Sequence, residues 1–116
     1  MSKRRVVVTG MGTVAPTGND TATAWRNTVE GRSGIGPIDT FDVAQFGTRF
    51  GGSIRGFDVS PFMEPKEARK VDMFIQYGVA AAAEAMADSG LEVTDANRHR
   101  IGVAMGSGIG GLGTIE

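Results

Sequence analysis

Three valines in a row, Val6 to Val8, stand between the charged Lys3-Arg4-Arg5 and two breakers, Gly10 and Gly12. A short run that is apolar on both faces predicts a buried strand over residues 5–9. Residues 16–20 read as a loop. Ala22, Trp25 and Val29 at i, i+3 and i+7 then predict a helix over residues 21–30 with one apolar stripe. Asn19 or Asp20 caps its start, since either side-chain oxygen can accept an orphan N–H. Gly31 ends it as a C′ glycine. Residues 32–46 show no sustained period beyond a helical turn near 43–45. Alternation resumes at 48–55: Phe50, Gly52 and Ile54 share one face, Arg49, Ser53 and Arg55 the other, a strand with one wet face at the periphery.

The longest predicted element runs from Pro65, which suits a first helical position, to Gly90, which suits a stop. Between Gln76 and Ala87 only Gln76, Tyr77 and Glu84 carry polar groups, and the rest is dominated by Gly78 and alanines. A helix that is apolar nearly all round is buried on most sides. Its small residues let neighbouring backbones approach closely. A body of 116 residues is too small to surround such a helix, so a larger body or an assembly is expected. Residues 94–100 form a polar connector, and 101–105 a second buried strand that enters Gly106-Ser107-Gly108-Ile109-Gly110-Gly111. This order of strands and helices predicts an α/β fold with parallel central strands. No repeat or linker interrupts it.

Composition narrows the function. A net charge of −1 argues against generic nucleic-acid or anionic-membrane binding. No apolar run approaches the roughly 20 residues of a membrane span. No export signal is recognisable after Met1, which makes the cytoplasm the default expectation. With no cysteine, these residues hold no disulfide, thiolate metal site or cysteine nucleophile. Glycine supplies 18 residues, against a usual share of about 7%, and these cluster at turns.

The run 106–111 matches G-x-G-x-x-G after a strand. It reads either as a dinucleotide site, where backbone N–H groups reach a pyrophosphate, or as a tight turn in a crowded interior. No acidic residue follows about 20 positions on, because the sequence stops at Glu116. Residues 10–15 fit the looser G-x-G-x-x-A, but the next helix starts about nine residues after the strand, too late to aim its dipole at the turn. Ser107 lacks glycines two residues to either side, so the nucleophile-elbow pattern fails. His99, between Arg98 and Arg100, reads as a solvated connector residue. Lys66, Arg69 and Lys70 lie at i, i+3 and i+4, hence on one helical face. That face is either ordinary solvated surface or a docking patch for an acidic partner. Cations in a first helical turn oppose the macrodipole, at about 0.3–1 kcal/mol each.

Taken in series, several segments resemble the N-terminal stretch of the β-ketoacyl-acyl-carrier-protein synthases, most like the elongating enzymes of bacterial fatty-acid synthesis. They are Arg4-Arg5-Val6-Val7-Val8-Thr9-Gly10-Met11-Gly12, Pro16-x-Gly18-Asn19, Gly31-Arg32-Ser33-Gly34-Ile35 and Lys66-Glu67-Ala68-Arg69-Lys70. They continue with Asp72-x-Phe74-Ile75-Gln76-Tyr77-Gly78, Asp88-Ser89-Gly90-Leu91 and the 106–111 turn. The resemblance implies the N-terminal part of a thiolase-type layered α/β/α/β/α fold, with residues 1–116 as the opening portion of its first half. It implies decarboxylative condensation of malonyl carrier protein with an acyl-enzyme thioester, in a homodimer that needs no cofactor or metal. The partners it implies are acyl carrier protein and fatty acyl and malonyl thioesters. The family's cysteine, histidines and lysine match no position here, so no catalytic residue is expected in this chain. Two carry-overs remain: Lys66, Arg69 and Lys70 match positions that meet carrier protein, and Ile109 matches one that lines the acyl pocket. Two rivals stand beside this reading. One is a non-catalytic fragment that binds carrier protein or a complementary chain; the other is a nucleotide-binding α/β fragment. Alone, the chain is expected to be poorly stable and prone to associate, because its Ala-rich helix would expose apolar surface.

Overall fold

A computed structural model describes residues 3–111. In chain order its elements are α1 (Thr21–Val29), β1 (Gly36–Pro37), β2 (Phe50–Gly51), α2 (Pro65–Ala68) and α3 (Met73–Ser89), then a 3-10 turn at Arg98–Arg100.

Helix α1 ends one residue short of its expected bound. Asp20, rather than Asn19, is the cap: its Oδ1 accepts the Thr23 N–H at 2.7 Å. Asn19 instead donates its amide to the Arg55 carbonyl at 2.9 Å. Gly31 follows with φ +69°, a left-handed conformation that suits glycine. The expected apolar stripe is not the buried one. Ala24 is buried, whereas Trp25 and Val29 are 69% and 67% exposed.

The peripheral strand at 48–55 shrinks to two residues. Gly51 and Phe50 pair antiparallel with Gly36 and Pro37. Arg55 then latches the hairpin by donating from Nη2 to the Pro37 carbonyl at 2.7 Å. The turn expected near 43–45 is present, with the Phe46 N–H bonded to the Val43 carbonyl.

The single long helix expected from Pro65 is two helices. Arg69 caps α2, and Asp72 is extended at φ −66°, ψ 158° and starts α3. Asp favours this half-in N-terminal position over a helix interior, because its side chain competes for backbone groups. Gly90, at φ +62°, ends α3 as expected.

The segment 10–13 crosses α3 in the opposite direction to the helix. A Cβ on Gly12 would collide with the backbone of Ala81 and Ala85, and one on Gly10 with Ala85 and Ser89. The small-residue face of α3 is therefore used for close backbone approach, as its composition predicted. Carboxylates of α3 tie the segment down. Asp88 accepts the Met11 N–H at 2.9 Å; Glu84 accepts the Thr13 N–H at 2.9 Å and the Thr21 N–H at 2.7 Å. Glu84 thus joins three pieces of chain at the positive end of α1.

The two expected buried strands do not form among the described residues. Residues 5–9 and 101–105 have no ladder partner, and Val6, Val8 and Val103 are 87%, 80% and 78% exposed. A strand needs a neighbour for its N–H and C=O groups and cover on both faces, and the described residues supply neither. For the same reason α3 is only partly covered, with Gln76 and Ala80 its buried residues. The radius of gyration, 17.6 Å, exceeds the roughly 13 Å of a compact domain of this length.

Candidate functional site

The first turns of α3 hold two features together. On one side, Phe74, Ile75, Gly78, Val79 and Ala82 face Val103, Met105, Gly106 and Ser107 across an apolar cavity of about 270 Å³. Glycine at position 78 keeps it tight: a Cβ there would stand 2.9 Å from Met105 Cε. The following loop closes by a bend in which Ser107 Oγ accepts the Gly110 N–H at 3.0 Å. Gly110 has φ +77°, and its position faces the Phe74 ring. Gly111 lies against the Asp72 carboxylate. Ile109 sits in this bend, 71% exposed, beside the cavity rather than in its wall.

On the other side lies the basic segment. Lys66 is in α2, Arg69 is its C-cap and Lys70 follows in the break. The three do not share one helical face, and they do not oppose a long macrodipole as the sequence suggested. Arg69 and Lys70 sit at the C-terminal end of a short helix, the favourable sense for a cation. Lys70 Nζ pairs with Glu67 Oε1 at 2.7 Å, both side chains more than half exposed. Such a pair contributes about 0–1 kcal/mol. Lys66 and Arg69 have no ion pair among the described residues. The three cations are exposed within the short stretch 66–70, a basic ridge by sequence proximity, and Ile109 belongs to the other side of the site.

The remaining sequence candidates are accounted for. The Ser107 hydroxyl holds the 107–110 bend. His99 is exposed in the 3-10 turn with no hydrogen bond among the described residues. Gly10 and Gly12 press on α3, so the first glycine turn has no room for a pyrophosphate. The second is followed by no helix among the described residues, and its last part, Leu112 and Gly113, lies outside them. Neither turn shows a dinucleotide site. No His, Cys, Asp and Glu side chains gather as a metal site among the described residues, and no described helix is long and apolar enough to cross a membrane. Sequence reasoning missed Gln76 and Glu84 as structural ties. Their signal was visible: they are isolated polar residues in an otherwise apolar helix.

Comparison with solved structures gives the class. The ishigamide ketosynthase/chain length factor superimposes at a TM-score of 0.70 with 32% identity, over 78% of this chain and 23% of that one. The fold is that of a thiolase-type ketosynthase. Residues 3–116 match Beta-ketoacyl synthase, N-terminal domain, and the chain belongs to that family. The 3-oxoacyl-[acyl-carrier-protein] synthase 2 of Vibrio harveyi is 56% identical over all 116 residues, and that of Vibrio cholerae serotype O1 is 57% identical. The Staphylococcus aureus (strain N315) protein of the same name is 42% identical over 113 residues. The chain spans 28% of the length of the two Vibrio relatives.

Proposed function

We propose that this chain is the opening portion of the first thiolase-like half of an elongating fatty-acyl condensing enzyme. The observation that carries the reading is the 56–57% identity, over the whole chain, to proteins named 3-oxoacyl-[acyl-carrier-protein] synthase 2. In such an enzyme a cysteine sulfur attacks the carrier-borne acyl thioester, and the carrier thiol leaves. Malonyl carrier protein then loses CO2. The resulting carbanion adds to the acyl-enzyme carbonyl and forms the new carbon–carbon bond, and collapse of that tetrahedral adduct restores the carbonyl and expels the cysteine thiolate. This chain has no cysteine and one histidine, so its own residues do not perform those steps. Its part is delivery and fit.

In this reading Lys66, Arg69 and Lys70 meet the acidic carrier protein. Their exposure and the free charge of Lys66 and Arg69 support it, since charge complementarity speeds and orients docking. The apolar cavity takes methylenes of the acyl chain, and Ile109 stands beside it as a limit on chain length. The working form is a cytoplasmic homodimer. The exposed Val103 and Met105 support burial against further protein, and the sedimentation mass of the complete enzyme tests the dimer.

The experiment is charge reversal at Lys66 and Lys70 in the complete enzyme. Carrier affinity is expected to fall about tenfold or more, at roughly 1–2 kcal/mol for two rim charges, and to lose the weakening with added salt that the wild type shows. Unchanged affinity sinks the docking reading. Ile109→Phe should shift the product profile to shorter chains, because overpacking an apolar site costs about 1–3 kcal/mol; an unaltered profile removes Ile109 from the acyl site.

A further inference from the structure

Gln76 is a buried polar residue, 9% exposed, in a helix that is otherwise almost wholly apolar. Its Nε2 donates to two backbone carbonyls, Ala68 at 3.0 Å and Val71 at 3.2 Å. Both carbonyls are products of the broken helix. In a continuous helix they would accept the N–H groups of Asp72 and Ile75. Here the Ile75 N–H goes to the Asp72 carbonyl instead, at 3.0 Å. One side-chain amide therefore serves both carbonyls at the break. The carbonyls it holds lie immediately before Arg69 and immediately after Lys70.

The same turns of α3 form the other side of the site. Phe74 backs Gly110, and Gly78 and Val79 line the cavity. The geometry points to Gln76 as a positioning residue. By tying the ridge to α3 on both flanks, it fixes where a docked carrier stands relative to the cavity that receives its acyl group. This inference rests on the carrier-docking reading of the ridge.

The test uses the complete enzyme with two substrates, a carrier-borne acyl thioester and a small soluble acyl thioester. Gln76→Met keeps the side-chain length and removes both N–H groups. KM for the carrier-borne substrate should rise about tenfold, from two neutral hydrogen bonds lost. The kcat/KM on the small thioester should stay within about twofold. Gln76→His, which keeps a ring N–H at similar reach, should recover most of the carrier KM. An unchanged carrier KM overturns the inference, and so does equal loss on both substrates, which marks general damage to the fold. Amide exchange on the wild-type enzyme reads the tether even where Gln76→Met does not fold. The Arg69 and Lys70 amides should exchange about as slowly as those of Ile75 and Gln76; exchange as fast as in the exposed 41–47 loop overturns it. Lys66→Glu with Arg69→Glu tests the underlying reading separately. If that pair leaves the carrier KM unchanged, docking at the ridge fails, and the inference with it. If the pair raises KM and Gln76→Met does not, the tether alone fails.

Discussion

The two glycine turns look alike as strings and differ in what their glycines are for. In the first, Gly10 and Gly12 are pressed against the backbone of α3, and any side chain would meet Ala81, Ala85 or Ser89. In the second, the Cβ positions of Gly106 and Gly108 have nothing within 4 Å; Gly110 needs φ +77°, and Gly111 lies against the side-chain carboxylate of Asp72. The first turn uses glycine to approach main chain, whereas the second combines backbone freedom at Gly110 with contact to a side chain that can move. Glycine content alone therefore says little about ligand binding.

That contrast is open to direct attack, the largest effect first. Gly12→Ala should destabilise the protein by about 3 kcal/mol, because the methyl has no space and the obstacle is main chain. Gly108→Ala should stay within about 0.5 kcal/mol in the same thermal unfolding measurement. Similar losses at both positions would erase the distinction. Glu84→Ala strips the acceptor from the Thr13 and Thr21 N–H groups and should cost about 2–3 kcal/mol, read by denaturant unfolding. Gly110→Ala makes only ordinary contact with the Phe74 ring but demands a left-handed alanine, at about 1–2 kcal/mol; a smaller loss would mean the bend relaxes.

A smaller loss than at Gly110 is expected at Asp20, the cap of α1. Removing the cap by Asp20→Ala should cost about 1 kcal/mol. The Thr23 backbone N–H holds the Asp20 carboxyl below its ordinary value of 3.8. A carboxyl lowered in the folded state stabilises fully above that ordinary value and loses the contribution as pH falls through the lowered one. The wild-type advantage over Asp20→Ala should therefore be constant near neutrality and shrink below about pH 4. An advantage that does not shrink on acidification would rule out the carboxylate cap.

What could be read from the residues depended on whether the signal was local. Helix α1 was legible because Asp20 and Gly31 mark its ends, and Gly90 marked the end of α3 for the same reason. The break at 69–72 was hidden. Pro65 and the alanine run imply one helix, and Asp72 reads as a start signal only when weighed against the residues before it. The strands at 5–9 and 101–105 were inferred from apolarity alone, but pairing depends on neighbours that the described residues do not contain. At the site, the cations and the glycine bend were visible as motifs. The cavity was not, because Phe74, Val79 and Met105 come together only through the path of the chain. The buried stripe of α1 was misplaced because Ala24, rather than Trp25, faces the segment at Gly18.

The clasp at Glu84 and Asp88 also sets an order of events during synthesis. Met11 and Asp88 are 77 residues apart, and Thr13 and Glu84 are 71. At 5–20 residues per second, the ribosome takes about 4–15 s to deliver the second partner after the first. Through that interval the amino-terminal segment lacks the α3 surface that Gly10 and Gly12 press against, and it stays open to chaperones or to neighbouring nascent chains.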